Sequence, residues 1–210
     1  MTSDELLHEY KCRHEEILKP LALRLVQHLQ DNLRPIPRVD RVVARAKNPD
    51  RFMVKAAKAL ADGGARYTHP FEQIQDLVGA RVIVFYKQDV DVVRELIERY
   101  YRYIERRDLV PESEAEFGYV GKHFILSFPE DLIDDDADRD KTPQFFELQV
   151  KTLFQHAWSE ANHDLAYKPG DPLNHLQKRQ IAFTAAQAWG ADQIFSQLHL
   201  ELNGAPPAPP

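Results

Sequence analysis

Ala80-Arg81-Val82-Ile83-Val84-Phe85-Tyr86 is the stretch on which the fold turns. A short β-branched and aromatic run of this kind reads as a buried strand. Downstream, Asp89 to Ile104 returns to helical spacing through Val92, Val93, Leu96, Ile97 and Tyr100. Two further strands are predicted at His123 to Phe128 and Phe145 to Val150, with the acidic loop Glu130 to Lys141 between them. Upstream, the prolines of Arg34 to Pro37 precede a short alternating run from Val39 to Arg45, which reads as another strand. Pro49 and Asp50 look like the start of a helix running to Ala61, with Gly63 and Gly64 as its stop. Strands interleaved with helices predict an α/β or α+β layer around one mixed sheet.

The ends of the chain are helical in pattern. From Ser3 to Leu33, Leu6, Leu7, Ile17, Leu18, Leu21, Leu25 and Leu29 keep helical spacing, and Pro20 is expected to divide the stretch into two helices. Leu153 to Tyr167 and Leu173 to Leu202 read as helices, followed by a Pro/Ala tail over residues 204–210 too poor in apolar surface to fold. The chain reads as one domain over residues 1–203, with a core at about 38–168. Its 210 residues are 43% hydrophobic and 29% charged, a globular mixture. The net charge of −6 gives no general attraction to nucleic acid or anionic membrane, so any phosphate site must be local. Cys12 is the only cysteine, which excludes an internal disulfide and makes a reducing cytoplasm the expected compartment. No apolar run approaches the ~20 residues that span a bilayer, and no membrane contact is expected.

Five clusters carry chemistry-bearing residues. Arg45, Lys47, Arg51, Lys55 and Lys58 gather where a strand meets a helix N-terminus, which suits a polyphosphate and equally a basic surface helix. Asp76 and Arg81 flank the entry to the most apolar strand, where a carboxylate can hold Mg²⁺ beside a nucleotide or simply act in a turn. Period two sends Glu147, Gln149 and Lys151 to one sheet face, either an active-site floor or an ordinary solvent face. Phe117-Gly118-Tyr119-Val120-Gly121-Lys122-His123 offers a glycine-flanked aromatic that could stack on a base or sit in a hairpin. His156, Glu160 and His163 share a helix face and are competent zinc ligands, but the H-E-x-x-H spacing is missing. The carboxylates from Asp134 to Asp140 lack the Gly and Glu of an EF-hand loop and read as solvated.

In chain order these clusters resemble the motifs of RelA/SpoT-type (p)ppGpp synthetases. Arg45-Ala-Lys47 with Lys55 looks like that family's R-x-K…K segment, and Asp76 to Arg81 like its D-x-x-G-x-R segment. Phe117-Gly-Tyr119 with His123 resembles the F-G-Y-x-S-x-H turn. Glu147-Leu-Gln149-Val-Lys151-Thr152, then His156-Ala-Trp158-Ser-Glu160 and His163-Asp-Leu-Ala-Tyr167-Lys168, is similar to E-x-Q-V-R-T…H-A-W-x-E…H-D-L-x-Y-K. The resemblance spans about Arg38 to Lys168, and the terminal helices fit the short single-domain members.

It implies a nucleotidyltransferase-like mixed β-sheet flanked by helices, and a reaction in which the 3′-hydroxyl of GDP or GTP attacks the β-phosphorus of ATP and AMP leaves. Asp76 and Glu147 would hold Mg²⁺, and Glu147 would also accept the hydroxyl proton. Arg45, Lys47 and Lys55 would hold ATP, with Arg81 part of the same site. Tyr119 would stack on the acceptor base, Gln149 and His123 would orient the acceptor, and Lys151 would add positive charge. The chain departs from the family pattern at Arg51 and Gly121 (serines), Val120 and Lys151 (arginines) and Asn162 (glutamate), and it carries Glu112, Glu114 and Glu116 where a basic residue is usual. These differences fall mostly on the acceptor side. They leave open a toxin-like relative that modifies the tRNA 3′ end or adenine nucleotides, and a non-catalytic nucleotide-binding module. The long C-terminal helix is a candidate homo-oligomer contact.

Overall fold

Alternation along the central strands divides the molecule into an apolar side and a polar side. The computed structural model describes residues 2–108, 118, 119, 121–166 and 173–205. β1 (Val39–Ala46), β2 (Val78–Val84), β3 (Tyr103–Asp108), β4 (Lys122–Ser127) and β5 (Phe145–Thr152) form one mixed sheet in the order β1-β2-β5-β4-β3. β2 and β5 run parallel at its centre, and the other neighbours are antiparallel. Ala80, Val82 and Val84 of β2 and Phe146, Leu148 and Val150 of β5 are buried on one face. There they meet Leu21, Leu25 and Leu29 of α2 (Lys19–Leu33) and Val93, Leu96 and Ile97 of α5 (Lys87–Tyr100). Gly79, Arg81, Glu147 and Gln149 alternate with them, so the opposite face is polar.

The N-terminal helices differ from expectation. α1 (Ser3–Arg13) passes into α2 through a π-helical turn, His14–Leu18, so Pro20 does not divide the stretch. A proline cannot donate to the preceding turn and its ring crowds the carbonyl four residues back. The wider turn takes up that conflict: the Lys19 N–H donates to the His14 carbonyl and the rod continues. α3 (Pro49–Ala56) stops earlier than Ala61. Gly63, at φ 85°, instead makes the turn of a small hairpin in which Ala59 and Ala65 pair, so the glycines serve a turn rather than a helix cap. A one-turn helix, α4 (Pro70–Gln73), follows.

The helix predicted to Ile104 ends at Tyr100, and Tyr103–Asp108 forms the edge strand β3, which was not anticipated. Tyr101 is already extended, and its ring is buried edge-on to Phe146 with the Asn32 side-chain amide donating to its hydroxyl at 3.0 Å. That tertiary seat overrides the helical spacing. α6 (Leu153–Ala166) and α7 (His175–Asn203) complete the chain. Glu112, Glu114, Glu116, Tyr167, Lys168 and residues 206–210 of the predicted tail lie outside the described residues. No helix among the described residues is long and apolar enough to cross a membrane.

Phe52 joins the N-terminal helix to α3. Its ring stacks on Tyr10 with centroids 3.8 Å apart and lies 5.6 Å from Phe71, and both Phe52 and Tyr10 are fully buried. Phe52→Ala should lower the free energy of unfolding by about 3–5 kcal/mol, the usual cost of emptying a buried aromatic site. A urea titration followed by tryptophan fluorescence and circular dichroism would measure it, and a loss under 1 kcal/mol would show that the stack is not a core contact.

Candidate active site

The polar sheet face collects its charged groups by register. Arg45 stands opposite Gly79, Gly79 opposite Glu147, Arg81 opposite Gln149, and Gln149 opposite His123. Residues from four strands thus share one surface, on which Arg45 is exposed. Asp76 lies two residues before β2 and enters this face from the loop. The Lys47 ammonium donates to its Oδ2 at 2.6 Å, and Lys55 reaches Oδ1 at 2.9 Å. Burial works to raise the Asp76 pKa, but the two lysines outweigh it and hold the carboxyl below its ordinary range.

The lysines are held by the fold. The Lys47 N–H donates to the Leu77 carbonyl at 2.8 Å, tying the end of β1 to the Asp76 loop. The Lys47 carbonyl accepts the buried Tyr10 hydroxyl at 2.7 Å. Asn48 caps α3 by accepting the N–H groups of Asp50 and Arg51, and Pro49 occupies the first turn, so α3 starts beside Lys47 and returns Lys55 to Asp76 about two turns later. Local spacing could not have pointed to Tyr10. It lies 37 residues from Lys47 and its role is set by packing.

Glu147 stands beside Gly79 at the entry to β2, within electrostatic reach of Asp76. Its Oε1 lies 3.0 Å from His123 Nδ1, and its Oε2 accepts the Gln149 amide at 3.2 Å. Burial raises its pKa, His123 lowers it, the Asp76 charge raises it and Gln149 lowers it, for a net depression. Two nearby carboxylates that both stay ionised are a hard-oxygen pair suited to a divalent cation shared with a nucleotide. His123 Nε2 and Gln149 Oε1 are buried without hydrogen-bond partners, which leaves two polar atoms free to meet a ligand at the same place.

Arg81 projects toward α6, donating to Glu160 Oε1 at 2.7 Å and meeting His156 Nδ1 at 3.2 Å. Burial and the Arg81 charge lower the His156 pKa; Arg81 also outweighs burial to lower that of Glu160. His163 contacts Arg51 at 3.1 Å, so the three helical groups serve arginines rather than converging on a metal. Glu160, read in the sequence as a zinc candidate and as part of the H-A-W-x-E motif, thus belongs to the Arg81 network.

Lys151 is 4% exposed and donates to Ser159 of α6 at 3.0 Å. Burial, followed by the Arg81 charge, brings its pKa down to about 8 against the pull of Glu160 and Glu147. Tyr119, expected as a stacking platform, is 6% exposed and donates its hydroxyl to Asp192 of α7. Its pKa is raised by burial and then by Asp192. Gly121 has no room for a side chain, since a Cβ there would lie 2.3 Å from the Val150 carbonyl oxygen and 2.5 Å from Lys151 Cγ. The absence of a side chain at Gly121 therefore lets the backbone there lie directly on β5.

Residues 44–171 match the family described as the region found in RelA / SpoT proteins. The GTP pyrophosphokinase YjbM of Bacillus subtilis is 23% identical over 205 residues, covering 96% of this chain and 90% of that protein. Small alarmone synthetase 1 of Bacillus subtilis superposes with a TM-score of 0.70 at 22% identity, covering 96% of this chain and 98% of the other. The same protein bound to its product pppGpp gives 0.66 at 21% identity, covering 95% and 97%. The mixed sheet with flanking helices is the fold of those synthetases.

Lys151 loses its proton as pH rises through about 8, so the site holds one more positive charge below that value than above it. Affinity for inorganic tripolyphosphate should fall about tenfold between pH 7 and pH 9, the scale of one charge-assisted hydrogen bond. Lys151→Arg, which stays charged, should flatten that decline. Isothermal titration calorimetry at both pH values decides it, and parallel declines in the two proteins would remove Lys151 from the explanation.

Proposed function

Since the chain belongs to the RelA/SpoT family, we propose that it is a Mg²⁺-dependent nucleotide pyrophosphokinase, carrying the β,γ-pyrophosphate of ATP to the 3′-hydroxyl of GDP or GTP and so making (p)ppGpp. The observation that carries this reading is the pair Asp76 and Glu147 on one polar sheet face, with Lys47 and Lys55 already on Asp76. A module that only bound nucleotide would not need both carboxylates. The catalytic unit is the single domain over residues 1–203.

On this reading Arg45, Lys47 and Lys55 take the ATP phosphates, the lysines exchanging part of their hold on Asp76 for phosphate oxygens. Asp76 and Glu147 hold Mg²⁺, which when bound neutralises charge on the transferring phosphoryl groups. His123 and Gln149, each with an unpartnered buried atom, orient the acceptor, and Arg81 and Lys151 add positive charge along the same face. The acceptor 3′-oxygen forms a bond to the β-phosphorus, the bond from that phosphorus to the α,β-bridging oxygen breaks, and AMP leaves. Glu147 receives the hydroxyl proton. Because its pKa is lowered it is a weak base, which suits a proton that moves late, as the new P–O bond forms. Catalysis is then mostly positioning and charge placement.

The covered Tyr119 ring and the close fit at Gly121 favour testing other acceptors alongside. γ-Labelled ATP with Mg²⁺ should transfer label to GDP or GTP, and Asp76→Asn or Glu147→Gln should each reduce the rate at least about a hundredfold, as loss of electrostatic stabilisers in such sites does. Label arriving only on AMP, ADP or deacylated tRNA would replace the acceptor and keep the chemistry. Equal, background-level transfer by wild type and both variants would end the catalytic reading.

α7 exposes Phe183, Ile194 and Leu202 at 64%, 61% and 81%. We propose that this apolar surface pairs copies of the chain. Light scattering should give a multiple of the 24.3 kDa protomer mass, and Phe183→Glu with Ile194→Glu should reduce it to the protomer. A protomer mass for the wild-type protein at micromolar concentration would reject the contact.

A further inference from the structure

A buried carboxylate on the C-terminal helix has no part in the site described above. Asp192 is 0% exposed, although most of α7 around it faces solvent. Its Oδ2 accepts the Tyr119 hydroxyl and, at 2.6 Å, the Thr152 hydroxyl. Its Oδ1 is buried with no partner. Burial pushes the Asp192 pKa up against the pull of the Thr152 and Tyr119 hydroxyls; a buried carboxyl with one unsatisfied oxygen is costly, and helix packing alone would be served as well by an apolar residue. The cost is therefore spent on the two hydroxyls, and both belong to site segments. Thr152 ends the strand that carries Glu147, Gln149 and Lys151, and Tyr119 sits in the segment leading to His123.

Gly121 adds an independent constraint. With no space for a Cβ against Val150 and Lys151, Gly121 lies directly on β5, while two residues earlier Asp192 holds the Tyr119 hydroxyl. One turn further along α7, Ser196 accepts the Lys87 N–H at 3.1 Å and His199 packs on Tyr86 with ring centroids 4.4 Å apart. α7 is thus fixed to the sheet end by two successive turns, and Asp192 cannot move without moving the Tyr119 hydroxyl.

We infer that Asp192 is a positioning residue for the acceptor side of the site, setting the depth and orientation of the Tyr119 ring from the C-terminal helix. The inference rests on the proposed pyrophosphokinase activity and on the placing of Tyr119 beside the acceptor base that the family resemblance implies. Asp192 touches neither substrate, so its loss should act on one substrate only. The donor groups Arg45, Lys47, Lys55 and Asp76 belong to other elements.

The test is steady-state pyrophosphate transfer by the full chain, with the acceptor and ATP varied separately. Asp192→Ala and Tyr119→Phe should each raise the KM for the labelled acceptor about tenfold and leave the KM for ATP within about twofold, the loss expected for one hydrogen bond to a charged group. The double variant should be no worse than Asp192→Ala alone, because Asp192→Ala already removes the Tyr119 contact along with that to Thr152. Asp192→Asn keeps an acceptor oxygen and should recover most of the loss. Where Asp192→Ala fails to fold, Tyr119→Phe carries the test, since it keeps the ring and removes only the hydroxyl. An unchanged or lowered acceptor KM in Tyr119→Phe, equal rises for both substrates, or Asn behaving as Ala would overturn the inference while wild-type transfer stands. Absence of transfer by the wild type overturns the catalytic reading itself, and this inference with it.

Discussion

Two ammonium groups on one half-buried carboxylate hold the polar face together. Removing Lys47, Asp76 and Lys55 from water is expensive, and such clusters seldom add net stability. What this one supplies is arrangement. The end of β1, the start of α3 and the entry to β2 must all meet for the three groups to be in reach, and a phosphate-rich ligand would find two cations already desolvated and aimed. The scaffold behind them is apolar and remote in sequence: the Tyr10 hydroxyl fixes the Lys47 carbonyl, and Phe52 and Phe71 fix Tyr10.

The two sides of the site are built differently. Around Asp76, cations and a carboxylate sit at strand and helix ends, where backbone hydrogen bonds and a helix cap determine their position. Further along the face, Lys151 and Tyr119 are buried and Arg81 half-buried, each coupled to a helix that closes over the sheet: Lys151 to Ser159, Arg81 to Glu160, Tyr119 to Asp192. That side also holds most of the departures from the family pattern. Gly121 removes a side chain where β5 comes too close to admit one, and Lys151 places a compact, titratable charge where a planar fork is usual.

What was legible in the sequence follows from periodicity. Ala80 to Tyr86 and Phe145 to Val150 announced central strands because both faces or one whole face had to be apolar, and the same alternation put Glu147, Gln149 and Lys151 together. Features set by tertiary contact were not legible. β3 was lost because Ile104 extends the helical spacing of α5, whereas Tyr101 leaves the helix to pack on Phe146. Asp192 gave no signal, since a carboxylate in a long helix ordinarily faces water. Tyr119 was recognised for its ring, while its hydroxyl turned out to be the engaged group. Pro20 carried the right information about strain but the wrong outcome.

That outcome changes how the N-terminal rod tolerates length changes. The π-helical turn His14–Leu18 takes in about one residue more than an α-turn would, so Tyr10 before it and Leu21, Leu25 and Leu29 after it all point into the core. Deleting a single residue within that turn would let the rod relax to plain α geometry with its two halves kept nearly in phase, whereas inserting a further residue would rotate everything upstream by about 100°. With the insertion Tyr10 would leave its place between Phe52 and the Lys47 carbonyl, although no residue around Asp76 had been altered. Spacing, as much as residue identity, is therefore under constraint in this segment.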